Sequence, residues 1–336
     1  MTTLFKRQVF LNVSNPGQLV NPGIPGVYKP GTGGDGFNLS DLHIQFHVVC
    51  ATSQSLKHAV IRVWNLSRDN ATKVMNEFTK ITLLVGYEGV NGDGEPMRTL
   101  IDGQIAEVRS GSEDAVNSYL EMIVQDGDMG ANNGSMSKTI SDGWTDDDVL
   151  NTLLPEWKNY QVTLGYKPTF TTTPGPRDKV LHGGLRELTT ELAKRQGCDW
   201  FIEDGQLNFV PRGKSIPGQA IQISTTGGMI GVPIQTYQGI EARCLMNPAI
   251  RVGRTIQIEN AAINVAKRNT PVVGVTNAGD VFPSLNAPTE QFGSYRVGYL
   301  EHSGDTRGNQ WETYVICTSI DGTQPNSGPA IYGVDL

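Results

Sequence analysis

The stretch "LHIQFHVVCA", Leu42 to Ala51, alternates apolar and polar side chains at its start. The two sets fall on opposite sides of an extended chain: Leu42, Ile44, Phe46 and Val48 against His43, Gln45 and His47. A period of two is typical of a strand with one buried face. On a strand, His43 and His47 would lie about 13 Å apart, at roughly 3.3 Å per residue, so they are not expected to share a metal ion.

Residues 1 to 130 continue this pattern and predict a first β-barrel-like domain. The expected strands are "FKRQVFLNV", "LHIQFHVVCA", "HAVIRVWNLS", "ITLLVGY", "RTLIDGQIAEVRS" and "NSYLEMIVQ". Four Asp-Gly pairs suit the positive φ of tight turns. These predicted turns are Asp35-Gly36, Asp93-Gly94, Asp102-Gly103 and Asp126-Gly127.

Residues 131 to 215 predict a small α/β domain with two helices and a hairpin. Thr145 lies three residues before Asp148, as in a capping box, and this first helix is expected to end near Pro155. The second helix is expected to place Leu181, Leu185, Leu188 and Leu192 on one face and to stop at Gly197. Asp204-Gly205 predicts a two-residue hairpin turn between two alternating strands.

Residues 216 to 336 predict a second β-barrel-like domain. Its strands are "QAIQIS", "GIEARCLM", "RTIQIE", "SYRVGYLEHS" and "WETYVICTSI". The chain is thus expected to be mainly β, with two β-barrel-like domains that form a ring and a small α/β domain between them. The loops 15–38 and 265–293 carry no assignable role.

The composition of the chain argues against several classes of function. The 336 residues include 27 basic and 34 acidic side chains, a net charge of -7, which gives stable nucleic-acid binding no source of counterion release. Short apolar runs predict no membrane span. The N-terminus shows no signal-peptide pattern, so folding in a reducing cytoplasm is expected. Buried, reduced thiols are predicted for Cys50, Cys198, Cys244 and Cys317, whose spacing is unlike that of a zinc or redox motif.

Several motifs imitate active sites. "HSGDTRGNQW", His302 to Trp311, holds His, Ser and Asp too close in sequence for a triad, and it predicts a hairpin loop. "GTGGDG", Gly31 to Gly36, precedes a strand and not a phosphate-binding helix. "RGKS", Arg212 to Ser215, lacks the upstream glycine of a P-loop.

The acidic pairs have structural interpretations. Glu203 and Asp204 fit a turn, and Asp146 to Asp148 fit a helix start. No catalytic, cofactor-binding or metal residue is predicted, no cofactor is expected, and no ligand-binding residue is assigned. Trp64, Trp200 and Trp311 are expected to anchor cores.

The order of segments resembles the baseplate hub proteins of contractile-tailed bacteriophages. The segments "AVIRVWNLS", "ITLLVGYEG" and "LIDGQIAEV", in this order, resemble the first domain of that family. Its later parts resemble "LRELTTELAKRQGCDWFIEDGQLNFVPRG", "GMIGVPIQTYQGIEARCLMNPAIRVGRTIQIE" and "YRVGYLEHSGDTRGNQWETYVIC".

The resemblance implies a non-enzymatic virion protein of the tail baseplate, made in the cytoplasm of the host bacterium. A homotrimer would join a six-fold tail tube, or its initiator, to a three-fold central spike, with tape-measure and wedge proteins as further contacts. DNA would pass through its lumen only in transit. Two alternatives stay open: a cell-wall hydrolase of the tail, which needs a carboxylate pair or metal site, and a carbohydrate-binding β-sandwich for host attachment.

Overall fold

The computed structural model describes residues 6–15, 37–52, 56–91, 95–171, 173–236, 239–259, 264–265 and 292–320. Within these residues the chain forms nineteen strands and four helices, which confirms the predicted mainly β class. The strands are β1 Arg7–Ser14, β2 Phe37–Asn38, β3 His43–Ala51, β4 His58–Trp64, β5 Lys80–Asn91, β6 Glu95–Ser112, β7 Ser118–Gln125, β8 Ser135–Ile140, β9 Thr163–Leu164, β10 Lys179–Gly184, β11 Cys198–Glu203, β12 Gln206–Pro211, β13 Ile216–Ile223, β14 Met229–Thr236, β15 Gly239–Leu245, β16 Arg254–Glu259, β17 Asn264–Val265, β18 Phe292–Asp305 and β19 Trp311–Ser319. The helices are α1 Arg68–Glu77, α2 Asp128–Asn133, α3 Asp146–Asn159 and α4 Leu185–Arg195.

One large sheet connects the two ends of the chain. Its main order is β17-β14-β15-β19-β18-β3-β4-β7-β6-β5-β1-β2, with β16 also paired to β18 and β13 to β16. The connection is the antiparallel pair of β18 and β3, in which Leu300 lies opposite Cys50 and Gly304 opposite Phe46. The predicted strand at Leu42 to Ala51 is therefore the central link between the early and late parts of the chain.

Strands β1, β3, β4, β5, β6 and β7 surround the first core. Alternate residues such as Ile44, Ile61 and Val85 fill it, as the period-two pattern predicts. The amide of Leu39 donates to the Leu11 carbonyl at 2.9 Å, and the Leu11 amide donates to Ser40 Oγ at 3.0 Å. These bonds tie β1 to the segment that leads into β3.

A second core lies between α3, α4 and the β11–β12 hairpin, and a third fills the late strands. The hairpin serves both, because Trp200 and Phe209 pack in the second core while Phe201 and Val210 pack in the third. Trp311, from β19, packs in the first core. The cores thus share residues from different predicted domains: Trp311 packs in the first core, and Phe201 and Val210 pack in the third. The predicted domain boundaries at 130 and 215 stay a prediction.

The middle helices follow the sequence signals with two corrections. Thr145 and Asp148 form the expected capping box, but α3 continues past Pro155 to Asn159. Fully buried Trp157 explains this, because its packing and its Nε1 bond to Thr189 Oγ1 at 3.0 Å hold the last turn. Leu181 lies in β10, paired with β8, so the predicted four-leucine helical face begins only at Leu185.

Two further glycine predictions are confirmed and one is wrong. Asp204-Gly205 forms the expected hairpin turn, with φ of 51° and 73°. Gly197 closes α4 at φ 60°, as predicted. Asp102-Gly103 is not a turn: it lies within β6, where an added Cβ on Gly103 would meet the Gln125 carbonyl oxygen at 2.8 Å.

The region predicted as strands also contains two helices, α1 and α2. Helix α1 is capped by Ser67, whose Oγ accepts from the Asn70 amide, and it packs Ala71, Val74 and the adjacent Phe78 against the first core, at a helical spacing that the strand assignment overlooked. At Asp126-Gly127 the chain does turn, with φ 73° at Gly127, and it leads into α2. The Asp35-Gly36 and Asp93-Gly94 pairs and the "GTGGDG" motif lie outside the described residues.

All four cysteines are buried and free of disulfides. Burial raises the pKa of the Cys244 thiol to about 12 and that of Cys317 still further. Both thiols are therefore protonated and unreactive at neutral pH. Among the described residues, no helix has the length and apolar character needed to cross a membrane.

Candidate functional site

The central strands of the large sheet expose one continuous face, here called the outer face. It runs across β15, β19, β18, β3, β4 and β7, on the side opposite the first and third cores. The register aligns its side chains in rows: Arg62 lies opposite both Gln45 and Glu121, and Tyr314 lies opposite both Glu301 and Arg243. The face is long and stiff, and it carries charged, aromatic and aliphatic side chains, the last being Val49, Val60, Ile123 and Ile316.

The β3–β4–β7 part of the outer face is built around Arg62 and Trp64. The Arg62 guanidinium pairs with Glu121 at 2.6 Å and lies 4.5 Å from the centre of the Tyr119 ring. The indole of Trp64 stacks on His43 at 4.2 Å and donates to Glu113 Oε2 at 2.8 Å. Aromatic stacking and charged hydrogen bonds make this surface rigid.

This arrangement revises one predicted anchor. Trp200 and Trp311 lie in cores, as expected. Trp64 is also buried, at 7% exposure, but it lies on the outer face beneath His43. It is covered by polar neighbours on the surface and not by the hydrophobic core.

The β18–β19–β15 part of the outer face carries the tyrosines Tyr299 and Tyr314, with Glu301 and Glu241 beside them. Tyr299 donates to Glu301, and its ring meets Tyr314 edge-on at 6.5 Å. Burial, together with the hydrogen bonds to Glu301 and Glu241, raises the pKa of both tyrosines above its usual value. The phenols are therefore neutral donors, and the carboxylates supply negative charge.

At the end of the outer face lies an apolar stripe of four exposed side chains. Its members are Ile230, Val232 and Ile234 of β14 and Leu245 of β15, with Val232 52% exposed. Ile230 lies opposite Arg243, and Ile234 lies opposite Glu241, which places the stripe on the same side of the sheet. Exposed apolar patches of this kind are typical of protein interfaces.

The motif "HSGDTRGNQW" forms a hairpin, as predicted, in which His302 lies on the side of β18 opposite Ser303 and Asp305. His302 is buried on the core side, with Nδ1 2.9 Å from Thr313 Oγ1. Ser303 follows it on the opposite side of β18. Asp305 contacts His43 Nε2 at 2.8 Å and accepts from the amides of Arg307 and Gly308, and these bonds outweigh burial and hold its pKa below the usual range.

A second feature is a buried group of charges, here called the ion cluster: Lys57, Asp126, Glu203, Asp204 and Arg251. Lys57 Nζ lies 2.8 Å from Asp204 Oδ1, and Arg251 Nη1 lies 2.6 Å from Asp204 Oδ2 and 3.2 Å from Glu203 Oε1. Both Asp126 oxygens accept from the Gly205 amide, at 3.1 and 3.2 Å.

The ion cluster joins distant parts of the chain. Lys57 precedes β4, Asp126 follows β7, Glu203 ends β11, Asp204 lies in the β11–β12 turn, and Arg251 precedes β16. Arg251 Nη2 also donates to the Thr99 carbonyl of β6 at 2.7 Å. The cluster therefore lies where the hairpin of the second core meets the early and late strands.

Two opposing effects set the pKa values in the ion cluster: burial disfavours each charged form, and the oppositely charged neighbours favour it. Lys57 is 3% exposed, yet Asp204 and Glu203 outweigh the burial and raise its pKa. Lys57 and Arg251 lower the pKa of Asp204 in the same way. Burial first, then the nearby Arg251 and Lys57 charges, lower the pKa of His302 to about 3, so its imidazole is neutral.

The sequence assigned Glu203 and Asp204 to a turn and found no signal in Lys57, Asp126 or Arg251. Arg251 and Asp204 are 47 residues apart in sequence, and Lys57 and Asp204 are 147 residues apart. No local sequence pattern can encode contacts over such distances. The one available hint is Arg251 between the apolar residues Ile250 and Val252. Across the described residues, no group of His, Cys, Asp or Glu is arranged to hold a metal ion.

The fold is that of phage tail proteins. A tail protein from Neisseria meningitidis MC58 matches with TM-score 0.55 and 10% identity, covering 96% of this chain and all of that one. The 43 kDa tail protein of prophage MuSo2 from Shewanella oneidensis matches with TM-score 0.53 and 8% identity over the same shares. The E. coli c3393 protein, described as a type VI secretion component similar to the T4 tail proteins gp27 and gp5, matches with TM-score 0.50 and 8% identity, over 86% of this chain and 76% of that one.

A comparison with models of protein families adds a match in sequence to this similarity of fold. Residues 175–273 match the family model of baseplate hub gp41, and this confirms the predicted resemblance to baseplate hub proteins. The match covers less than a third of the chain, so over residues 175–273 the chain is similar to baseplate hub gp41. Compared by sequence with curated proteins, it matches none.

Proposed function

We propose that three copies of this chain form the baseplate hub ring and join a six-fold tail tube to a three-fold spike. The supporting observation is the single sheet that carries two core regions, linked by β3 and β18. Each chain thus contributes two rigid β segments to a ring, and three chains contribute six. A three-fold assembly with six β segments can present near-six-fold contacts on one side and three-fold contacts on the other.

The outer face suits the wall of a genome channel. Carboxylates of Glu121, Glu241, Glu301 and Glu312 alternate there with Arg62 and Arg243 and partly pair with them. The phosphate backbone binds proteins mainly through unpaired Lys and Arg side chains. A mixed, self-paired face would let DNA pass in transit without holding it.

The apolar stripe suits a contact between copies. Permanent interfaces between subunits are larger and more apolar than the rest of the surface, and sheet edges that stay open promote aggregation. A neighbouring copy that packs on Val232 and Ile234 would cover both the stripe and the adjacent edge of the sheet. The tail tube or its initiator and the central spike would then bind the two open ends of the ring, with tape-measure and wedge proteins as outer contacts.

The host bacterium would make the chain in its cytoplasm, where the four thiols stay reduced, and the virion baseplate would be its final location. Structural neighbours with tail functions favour this non-enzymatic role.

The first test is the native mass by light scattering, with negative-stain microscopy of the same fraction. A ring with a central hole and about 110 kDa, three times the 36.5 kDa chain, is expected. Val232→Asp should weaken the trimer, while Val180→Asp, at an exposed apolar residue of β10, should leave the mass unchanged. A monomer that ignores added spike protein and binds glycan would refute the hub proposal.

The channel wall has its own test. Ser303→Cys places a thiol on the outer face, and Ser141→Cys places one on the exposed surface of the middle region, against a background of buried native cysteines. In the assembled ring, a small maleimide should label both variants. A large polyethylene-glycol maleimide should label only the Ser141→Cys variant, and equal labelling of both would refute the assignment.

A further inference from the structure

Asp126 is a buried carboxyl group that, within the described part of the chain, has no direct cation partner at ion-pair distance. It is 2% exposed, and both oxygens accept from a single amide, that of Gly205. The two cations of the ion cluster are engaged elsewhere, Lys57 on Asp204 and Arg251 on Asp204 and Glu203. An ionised Asp126 is thus stabilised far less than its acidic neighbours.

On balance the surroundings of Asp126 favour its neutral form, because burial and the neighbouring carboxylates outweigh the Lys57 charge and the hydrogen bonds from the Gly205 amide. Asp204 faces it from the hairpin turn and Asp102 from β6, and both repel a negative charge. Lys57, whose carbonyl accepts the Asp126 amide at 2.9 Å, attracts it, and the Cys50 thiol of β3 lies nearby. With Asp126 ionised, three carboxylates of the cluster face two cations, and with Asp126 protonated the charges balance.

The position of this carboxyl group gives its proton a structural consequence. Asp126 holds the turn between Glu203 and Gln206, and the strands of that hairpin insert Ile202 into the second core and Phe201 into the third. Any change at the turn therefore acts on the contact between the middle region and both parts of the large sheet.

We propose that Asp126 is a proton-controlled joint: a proton on its carboxyl group tightens the contact between the β11–β12 turn and the large sheet, and loss of that proton loosens it. Burial, followed by repulsion from Asp204, raises the pKa of Asp126 to about 7. A raised acid pKa stabilises the fold below the unfolded value near 3.8, and this contribution is lost as pH rises through about 7. The joint is closed in mild acid and loosened in mild alkali. This inference does not depend on trimer formation.

The test compares the native chain with Asp126→Asn, which keeps the shape and the acceptor for the Gly205 amide but carries no charge. Asp142→Asn, at an exposed carboxylate, is the matched control. Between pH 6 and pH 9, the Tm of the Asp126→Asn variant should rise relative to the native chain by about 2 °C. The control should show no such pH-dependent difference.

Hydrogen exchange locates the effect. After correction for the intrinsic rate, amides of residues 198–211 in the native chain should exchange at least about tenfold faster at pH 9 than at pH 6, a change that the Asp126→Asn substitution suppresses. Equal corrected rates at the two pH values in the native chain would overturn the proposal, whether or not the variant folds. A Tm difference independent of pH would overturn it as well.

Discussion

The substitution Arg251→Met should weaken the contact of the β11–β12 hairpin with the large sheet and lower the stability of the protein more than a substitution of an exposed charged residue does. Arg251 is 19% exposed and makes three contacts: Asp204 at 2.6 Å, Glu203 at 3.2 Å and the Thr99 carbonyl at 2.7 Å. Met retains the length of the aliphatic stem but removes the charge. Two largely buried carboxylates then depend on Lys57 alone, and the loss of one partner from a fully buried pair, which sets an upper limit here, costs about 3–5 kcal/mol.

The assay is thermal unfolding followed by native-state hydrogen exchange. Arg251→Met should lower the Tm by several degrees and increase exchange first in residues 198–211. Arg109→Met is the matched control, because Arg109 pairs with Glu107 on the exposed surface, where ion pairs contribute little. An Arg251→Met protein that melts with the native chain and protects the hairpin equally would refute the view that the ion cluster joins the three cores.

Two further variants test the hairpin at His302 to Trp311. Gly304→Ala should cost about 1–3 kcal/mol in unfolding free energy, because the added Cβ would lie 2.3 Å from Phe46 Cζ, and an unchanged denaturation midpoint would contradict this packing. His302→Gln should gain Tm relative to the native chain as pH falls from 6.5 toward 4. The reason is that the folded pKa of about 3 lies below the unfolded value of 6.5, so the native chain loses stability in that window, and a constant Tm difference would exclude this.

The sequence predicted those parts of the fold in which local physics and burial agree. The strand at Leu42 to Ala51 alternates apolar and polar side chains over its first half, and the alternate burial of β3 follows that pattern from Ile44 to Cys50. The capping box at Thr145 and the turn at Asp204-Gly205 were predicted for the same reason, since backbone geometry alone requires those residue types.

Predictions failed where long-range packing overrode a local signal. Pro155 ordinarily ends a helix, but burial of Trp157 carries α3 past it. The Asp102-Gly103 pair is used as a close approach between β6 and β7 and not as a turn, because the glycine leaves room for the Gln125 carbonyl. The candidate surfaces were beyond prediction for a related reason: the outer face exists only because β3 and β18, about 250 residues apart, pair as neighbours.

The ion cluster and the β3–β18 pair together explain how a chain with so many turns holds its early, middle and late parts together. The β3–β18 pair makes the two β parts a continuous sheet, so a load on one part passes to the other through backbone hydrogen bonds. The middle region has no such continuity, since its small sheets, as far as the structure describes them, are separate from the large one. Its position depends on the hairpin side chains in the third core, on the ion cluster, and on buried Arg296, which pairs with Asp199 at 2.9 Å. Charged contacts fix direction as well as distance, and their pairing can be changed by a single proton. The sheet therefore supplies stiffness, and the hairpin side chains, the ion cluster and the Arg296–Asp199 pair hold the middle region against it.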